Sequence, residues 1–203
     1  MRTDDLIRAI SADAARRSPP LGAVWWVAVV LALVAAAVAF FAMLGPRTDI
    51  AAAAETPRFL FKFVVTGLMA ASAFALLRLL ARPGAPVSRA APFLALAPLL
   101  LAVAVVVEFA LVPPADYTAR LVGTNIAVCL FFIPVIGAVP LAVFVGVLRY
   151  GAPTRPALAG AVAGLAAGGL AATFYAAHCT DDSPFFVATW YSLAIAGLAC
   201  VGA

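Results

Sequence analysis

Six long apolar runs dominate this sequence, and each is long enough to cross a membrane. The runs cover Leu21–Leu44, Phe59–Ala81, Pro92–Val112, Leu121–Leu148, Pro156–Ala177 and Pro184–Ala203. A helix needs about 20 apolar residues to cross the hydrocarbon core of a bilayer. Strands that span a membrane are about half as long and alternate in polarity. The sequence therefore predicts an all-α fold, a polytopic bundle of six transmembrane helices with short loops, which makes the lipid bilayer its surroundings.

The composition excludes most classes of soluble protein. Hydrophobic residues make up 66% of the chain and charged residues only 11%, whereas soluble domains are near half apolar and about a quarter charged. The net charge of +4 comes from short segments between the runs, where positive charge sets membrane orientation. The three cysteines include no CxxC pair, which excludes a zinc ribbon or a thioredoxin-type motif. We expect no enzyme activity and no direct contact with nucleic acid.

The loop charges predict which ends of the helices face the cytoplasm. Arginines cluster before the first run and around the second and fourth loops, at positions Arg2, Arg8, Arg16, Arg17, Arg78, Arg82, Arg89, Arg149 and Arg155. The first, third and fifth loops mix basic and acidic residues. By the positive-inside rule, both termini are cytoplasmic. Residues 1–20 are then a cytoplasmic N-terminal segment with a short amphipathic helix, and residues 21–203 form the six-helix transmembrane domain.

The N-terminal segment is a candidate docking element. Leu6, Ile7, Ile10 and Ala14 follow helical spacing and form one apolar face. Such a face is typical of a helix lying on the membrane surface. The alternative is a helix that docks this face into the groove of a partner protein. On the second interpretation, Leu6, Ile7 and Ile10 are the partner-binding residues.

Two of the three cysteines are expected at the outer ends of the helices. Cys129 lies near the outer end of the fourth run and Cys179 follows the fifth, whereas Cys200 lies near the inner end of the sixth. Together with His178, the two outer thiols could bind a soft or borderline metal ion. They could instead form a disulfide. A third interpretation is that they are small buried apolar residues.

Ionisable residues inside the spans are expected to pair with one another. Glu108 and Lys62 lie within the outer parts of the third and second runs. Ionisable groups at such depth usually face the interior of a bundle. We expect Glu108 to pair with Lys62 or Arg58, and Asn125 to be another polar lining residue.

Two overlapping GxxxG steps mark the fifth run as a packing helix. Their glycines are Gly160, Gly164 and Gly168. Small residues at this spacing allow two helices to approach closely. The sequence therefore predicts a tight helix–helix contact along this face.

Several motifs together resemble the NrsF-like membrane anti-sigma factors. They are the opening 2–7, Pro57-Arg58-Phe59, the stretch 151–160, the His178-Cys179-Thr180-Asp181-Asp182-Ser183-Pro184 loop, and 186–191 with its Thr-Trp-Tyr. The resemblance covers essentially the whole chain. It departs from the family at the C-terminus, where a basic cytoplasmic tail is expected and is not seen before Ala203.

The resemblance implies a specific function. Members of the family hold an extracytoplasmic-function sigma factor at the bacterial inner membrane until an envelope signal arrives. It also implies that Cys129 and Cys179 are the two characteristic cysteines that sense a metal or an oxidant. No cofactor is expected beyond a possible metal ion at these thiols. The alternative is a small membrane transporter or channel, although polar residues are scarce in the inner halves of the spans.

Overall fold

The computed structural model describes residues 2–14 and 20–203, and within these ranges the regular structure is helical throughout. A helix α1 comes first, and six longer helices follow it. Their bounds are Thr3–Ala14 (α1), Leu21–Met43 (α2), Pro57–Leu80 (α3), Val87–Leu111 (α4), Ile126–Leu148 (α5), Pro156–Ala176 (α6) and Pro184–Gly202 (α7). Among the described residues, α2–α7 are the helices long and apolar enough to cross a membrane. The prediction of an all-α bundle of six spans is confirmed.

One predicted boundary differs for a clear physical reason. The apolar run that begins at Leu121 does not form one helix, because Tyr117–Val122 is a separate short helix that ends at Gly123. Gly123 has a φ of +59°, a conformation that L side chains rarely adopt. A Cβ atom there would also collide with Asp181 and Phe186. Glycine therefore ends the short helix and allows α5 to begin at Ile126.

Helix α6 is the central helix of the bundle. It packs against α2, α3, α5 and α7, and it is the most buried of the six spans. Its glycines make this possible: a Cβ atom on Gly160 or Gly164 would run into the main chain of α7, and one on Gly169 would run into α3 at Ala70. The predicted close contact along the GxxxG face is confirmed, and its partner is α7.

The loops gather at two ends of the bundle. Loops 44–56, 112–125 and 177–183 meet at one end, where the Arg47 amide donates to the Ala177 carbonyl at 3.0 Å. We call this the cysteine end. Loops 81–86 and 149–155 meet at the opposite end, where the Ala152 amide donates to the Ala81 carbonyl at 3.0 Å. The cysteine end therefore collects the first, third and fifth loops, as an up-and-down arrangement requires.

Candidate functional site

A buried lysine holds the segment that carries Cys179. Lys62 lies one turn into α3, and its side chain has no solvent exposure. Its Nζ donates a hydrogen bond to the carbonyl oxygen of Cys179 at 2.8 Å and forms an ion pair with Asp182 Oδ1 at 2.5 Å. A buried cation is stable only when it is paired and hydrogen-bonded. The loop 177–183 supplies both of these partners.

Arg47 holds the same loop from the other side. Its guanidinium pairs with Asp182 at 3.0 Å and with Asp49 at 2.6 Å. The hydrogen bond from Arg47 holds the pKa of the Asp49 carboxyl below its usual range. The hydrogen bonds to Asp49 and Asp182 raise the pKa of Arg47 itself. Asp182 therefore pairs with two cations, Lys62 in α3 and Arg47 in the loop that precedes α3.

Asp181 joins the loop to the beginning of α5, the helix that carries Cys129. One carboxylate oxygen accepts hydrogen bonds from the backbone amides of Thr124 and Asn125 at 3.0 and 2.9 Å, and from the Asn125 side chain at 2.9 Å. The amides at a helix N-terminus have no partner within the helix, and a carboxylate satisfies them well. Asn125 is therefore a polar residue of this site, as the sequence indicated.

The two outer cysteines lie in the packed core together with two tyrosines, Tyr175 and Tyr191, and we call this group the thiol pocket. Cys129 and Cys179 are fully buried there. The hydroxyl groups of Tyr175 in α6 and Tyr191 in α7 face the Cys179 thiol, yet neither makes a hydrogen bond of normal geometry among the described residues. Buried hydroxyl groups are normally paired. These two provide spare hydrogen-bonding capacity beside the thiols.

His178 points to a different partner. Its Nδ1 lies 3.0 Å from the carbonyl oxygen of Gly45, which ties the loop to the end of α2. In the part of the chain that the structure describes, no three His, Cys, Asp or Glu side chains are close enough together to hold a metal ion. The metal and redox roles of Cys129, Cys179 and His178 stay predictions.

A second ion cluster surrounds Glu108. Its side chain is almost fully buried, and it pairs with Arg58 at 2.9 Å and with Arg120 at 2.9 Å. The predicted pairing with Arg58 is confirmed, whereas Lys62 pairs with Asp182 instead. Arg120 lies in the loop that follows α4, at the same end of the bundle as Glu108. The alternation of the loops between the two ends could therefore have predicted that the two residues lie close together. Between the two clusters lies an open cleft of about 610 Å³.

Burial gives a testable property to the Cys179 thiol. Removal from water raises its pKa above the ordinary value, although nearby Lys62 opposes the shift. A raised pKa leaves less thiolate at pH 8 than an ordinary cysteine has, and the thiolate is the reactive form. We expect iodoacetamide to label Cys179 slowly at pH 8 in the folded protein and faster as the pH rises. Mass spectrometry of each cysteine, with Cys200 and the denatured chain as references, measures this. Labelling of Cys179 at the denatured rate at pH 8 would contradict it.

The candidate docking helix is exposed where its side chains are described. Leu6 and Ile7 are 44% and 56% exposed, and both lie on α1. The side chain of Ile10 lies outside the described residues. Adjacent exposed apolar side chains on one helix are compatible with contact to lipid or to a protein partner. Their role in binding a partner stays a prediction.

The fold and this site define a polytopic membrane protein whose charged groups lie near the helix ends. α2, α5, α6 and α7 contain no Asp, Glu, Lys or Arg, so they supply no charged side chains for a continuous ion path. The family described as "NrsF: Negative regulator of sigma F" matches residues 10–203. The chain belongs to this family, which is regulatory rather than catalytic.

Two relatives match over the whole chain. The Anti-sigma-F factor NrsF of Caulobacter vibrioides is 36% identical over 205 residues, covering 100% of this chain and 95% of the relative. The Probable anti-sigma-F factor NrsF of Azospira oryzae is 33% identical over 206 residues, with the same coverage of each chain. No solved structure matches.

Proposed function

We propose that this protein is an anti-sigma factor that holds an extracytoplasmic-function sigma factor at the bacterial inner membrane. An envelope signal, a metal or an oxidant, acts on Cys129 and Cys179 and releases the sigma factor. The observation that carries the proposal is the full-length similarity to two relatives named as anti-sigma-F factors. The family match over residues 10–203 supports the same role.

The distribution of charge supports a sensor on one side and a docking surface on the other. The arginine-rich segments belong to the N-terminus and to the end opposite the cysteines. By the positive-inside rule, that end faces the cytoplasm, where a sigma factor is found. The cysteine end then faces the periplasm, where thiols meet an oxidising environment. α1 is on the cytoplasmic side in this orientation.

The free energy that such a switch requires can be compared with what thiol chemistry contributes. Shifting a two-state equilibrium from 1:99 to 99:1 requires about 5.5 kcal/mol of differential binding. A disulfide contributes typically 2–4 kcal/mol, which covers only part of that amount and corresponds to a smaller shift, whereas complete zinc sites in small domains contribute about 10 kcal/mol or more. Both thiols are buried in a core to which α5, α6 and α7 contribute, which supports a change in helix packing when the thiols react.

Capture of the sigma factor from detergent solution tests the docking surface. We expect the full chain to retain the sigma factor encoded beside it and a chain starting at Leu21 to lose it. The double substitution L6E/I7E should weaken capture by about tenfold or more, because it places two charges on an apolar contact and each buried apolar side chain contributes about 1.5–3 kcal/mol.

A matched control separates the apolar face from the helix as a whole. Arg8 is exposed on the same helix and lies on the side away from the apolar stripe, and R8E makes the same change in net charge as L6E/I7E, so R8E should retain the sigma factor. If L6E/I7E and R8E bind equally well, the apolar face of α1 is not the contact. If the full chain itself captures no sigma factor, the proposed function is wrong.

A further inference from the structure

The polar contacts of the Lys62 side chain are with the loop 177–183, which we call the cysteine loop. Its Nζ reaches the main-chain carbonyl of Cys179 at 2.8 Å and the Asp182 carboxylate at 2.5 Å. The ring of Phe59, one turn earlier on α3, faces the same Nζ at 5.2 Å. The two polar partners come from a segment of four residues that also carries the thiol of Cys179.

This arrangement is costly compared with an apolar side chain. A lysine removed from water loses several kcal/mol of hydration free energy, and a buried ion pair often stabilises a protein no better than a well-packed apolar pair. A leucine at position 62 would extend the apolar surface of α3 without that cost. The contacts of Lys62 are therefore better explained by a role that depends on the position of the loop than by stability alone.

Helix α3 connects this contact to the far end of the bundle. One turn beyond Lys62, Thr66 accepts a hydrogen bond from Thr173 of the central helix α6 at 3.0 Å. Further along, Gly169 of α6 packs directly on the main chain of Ala70. At the opposite end, the Ala81 carbonyl just after α3 accepts the hydrogen bond from Ala152. A continuous packed helix thus extends from the cysteine loop to the loops that lie opposite it.

We propose that Lys62 is the positioning residue that couples Cys179 to α3, so that a reaction at the thiol is transmitted to the opposite end of the bundle. The proposal rests on the proposed function, in which Cys179 senses the signal and the opposite end retains the sigma factor. Asp182 is the second member of the coupling pair, and Arg47 keeps that carboxylate in place.

The geometry explains how the coupling works. The thiol and the carbonyl that Lys62 binds belong to the same residue, so a new bond to the Cys179 sulfur moves both. N–H···O hydrogen bonds are normally 2.7–3.2 Å long, and a shift of about 1 Å carries the 2.8 Å bond beyond that range. Lys62 must then follow the loop or lose a partner inside a dry site. Either response moves the beginning of α3.

The test separates sensor chemistry from release. The variant K62M/D182N removes both charges of the pair together, which avoids leaving an unpaired buried charge. Membranes containing the wild type or the variant, each loaded with sigma factor, are treated with hydrogen peroxide or with Zn²⁺. With peroxide, two thiols lose two protons and two electrons as the S–S bond forms, and the peroxide is reduced to two waters. Mass spectrometry reports the Cys129–Cys179 disulfide or the bound zinc, and sedimentation reports released sigma factor.

Because Lys62 also favours the Cys179 thiolate, release is compared at equal extents of cysteine reaction. At that equal extent we expect release from the variant to fall by at least about fivefold, the lower end of typical allosteric coupling. The control R120M removes a cation at the same end that pairs with Glu108 rather than with the cysteine loop, and it should release normally. Normal release from K62M/D182N would overturn the proposal. So would an equal loss of release in R120M.

Two further outcomes are decisive. If K62M/D182N does not accumulate, K62M alone removes the bond to the Cys179 carbonyl and leaves Asp182 paired with Arg47. This variant should release sigma factor less completely than the wild type, and wild-type release from it would overturn the coupling role. If the wild type captures sigma factor but neither reagent releases it, the sensing part of the proposed function fails. This outcome is distinct from the result expected for the variant, which reacts at its cysteines but releases little sigma factor.

Discussion

The substitution G164A should separate the two helices at the centre of the bundle. Gly164 lies on α6, where a Cβ atom would collide with the main chain of Leu198 and Ala199 in α7. Backbone cannot move aside as a flexible side chain does, so the whole of α7 must shift. Overpacking a well-packed core costs about 1–3 kcal/mol, and a clash with main chain belongs at the upper end. We expect a lower thermal midpoint in detergent and a smaller folded fraction in gel filtration.

The matched control for this prediction is G146A. Gly146 also lies within a transmembrane helix, but a Cβ atom there meets nothing within 4 Å. Both variants add one methyl group and remove one glycine from a helix, so their difference isolates the contact with α7. Because α7 carries Tyr191 and packs against the thiol pocket, G164A should also expose Cys179 to iodoacetamide. Equal thermal midpoints for G164A and G146A would show that the close approach of α6 and α7 is not required.

The positions of the helices could be predicted because hydropathy alone determines which segments enter lipid. Every predicted run overlaps one observed span, and the main discrepancy comes from Gly123, whose positive φ interrupts an apolar stretch. The beginning of α4 also lies earlier than its apolar run, at Val87 rather than Pro92. In the first case a local backbone feature, the positive φ of a glycine, overrides the apolar pattern.

The pairing of charges could be predicted only in part. Loop alternation placed Glu108, Lys62, Arg58, Asp181 and Asp182 at one end, but it could not decide which cation meets which carboxylate. That choice depends on how the helices rotate about their axes, and the rotation is determined by packing against the small residues of α6. The hydroxyls of Tyr175 and Tyr191, which lack a hydrogen-bond partner within the described part of the chain, could not be predicted for the same reason. Tyr191 closes a π-helical turn, Val187–Tyr191, which changes its register on α7.

The substitution E108Q should destabilise the cysteine end strongly. Glu108 is only 3% exposed. Its carboxylate pairs with Arg58 in α3 and with Arg120 in the short helix before α5. The amide of glutamine keeps the shape but removes the charge that both arginines face. Hydrogen bonds to charged groups contribute about 1.5–3 kcal/mol each, and the partial exposure of both arginines reduces this. We expect a loss of about 2–3 kcal/mol, seen as a lower thermal midpoint.

The control E55Q separates the effect of breaking this ion cluster from the effect of removing any carboxylate charge. Glu55 is an exposed carboxylate at the same end, so E55Q makes the same chemical change in water and should leave the thermal midpoint nearly unchanged. Because Glu108 also accepts from Ser183 at 3.4 Å, E108Q should loosen the start of α7 and speed the labelling of Cys179. Helix α4 is also attached at this end through Phe109, whose ring centroid lies 4.5 Å from that of Phe185 in α7, so E108Q should loosen α4 without releasing it. If E108Q and E55Q have the same thermal midpoint, apolar contacts and lipid are sufficient to hold α4 in place.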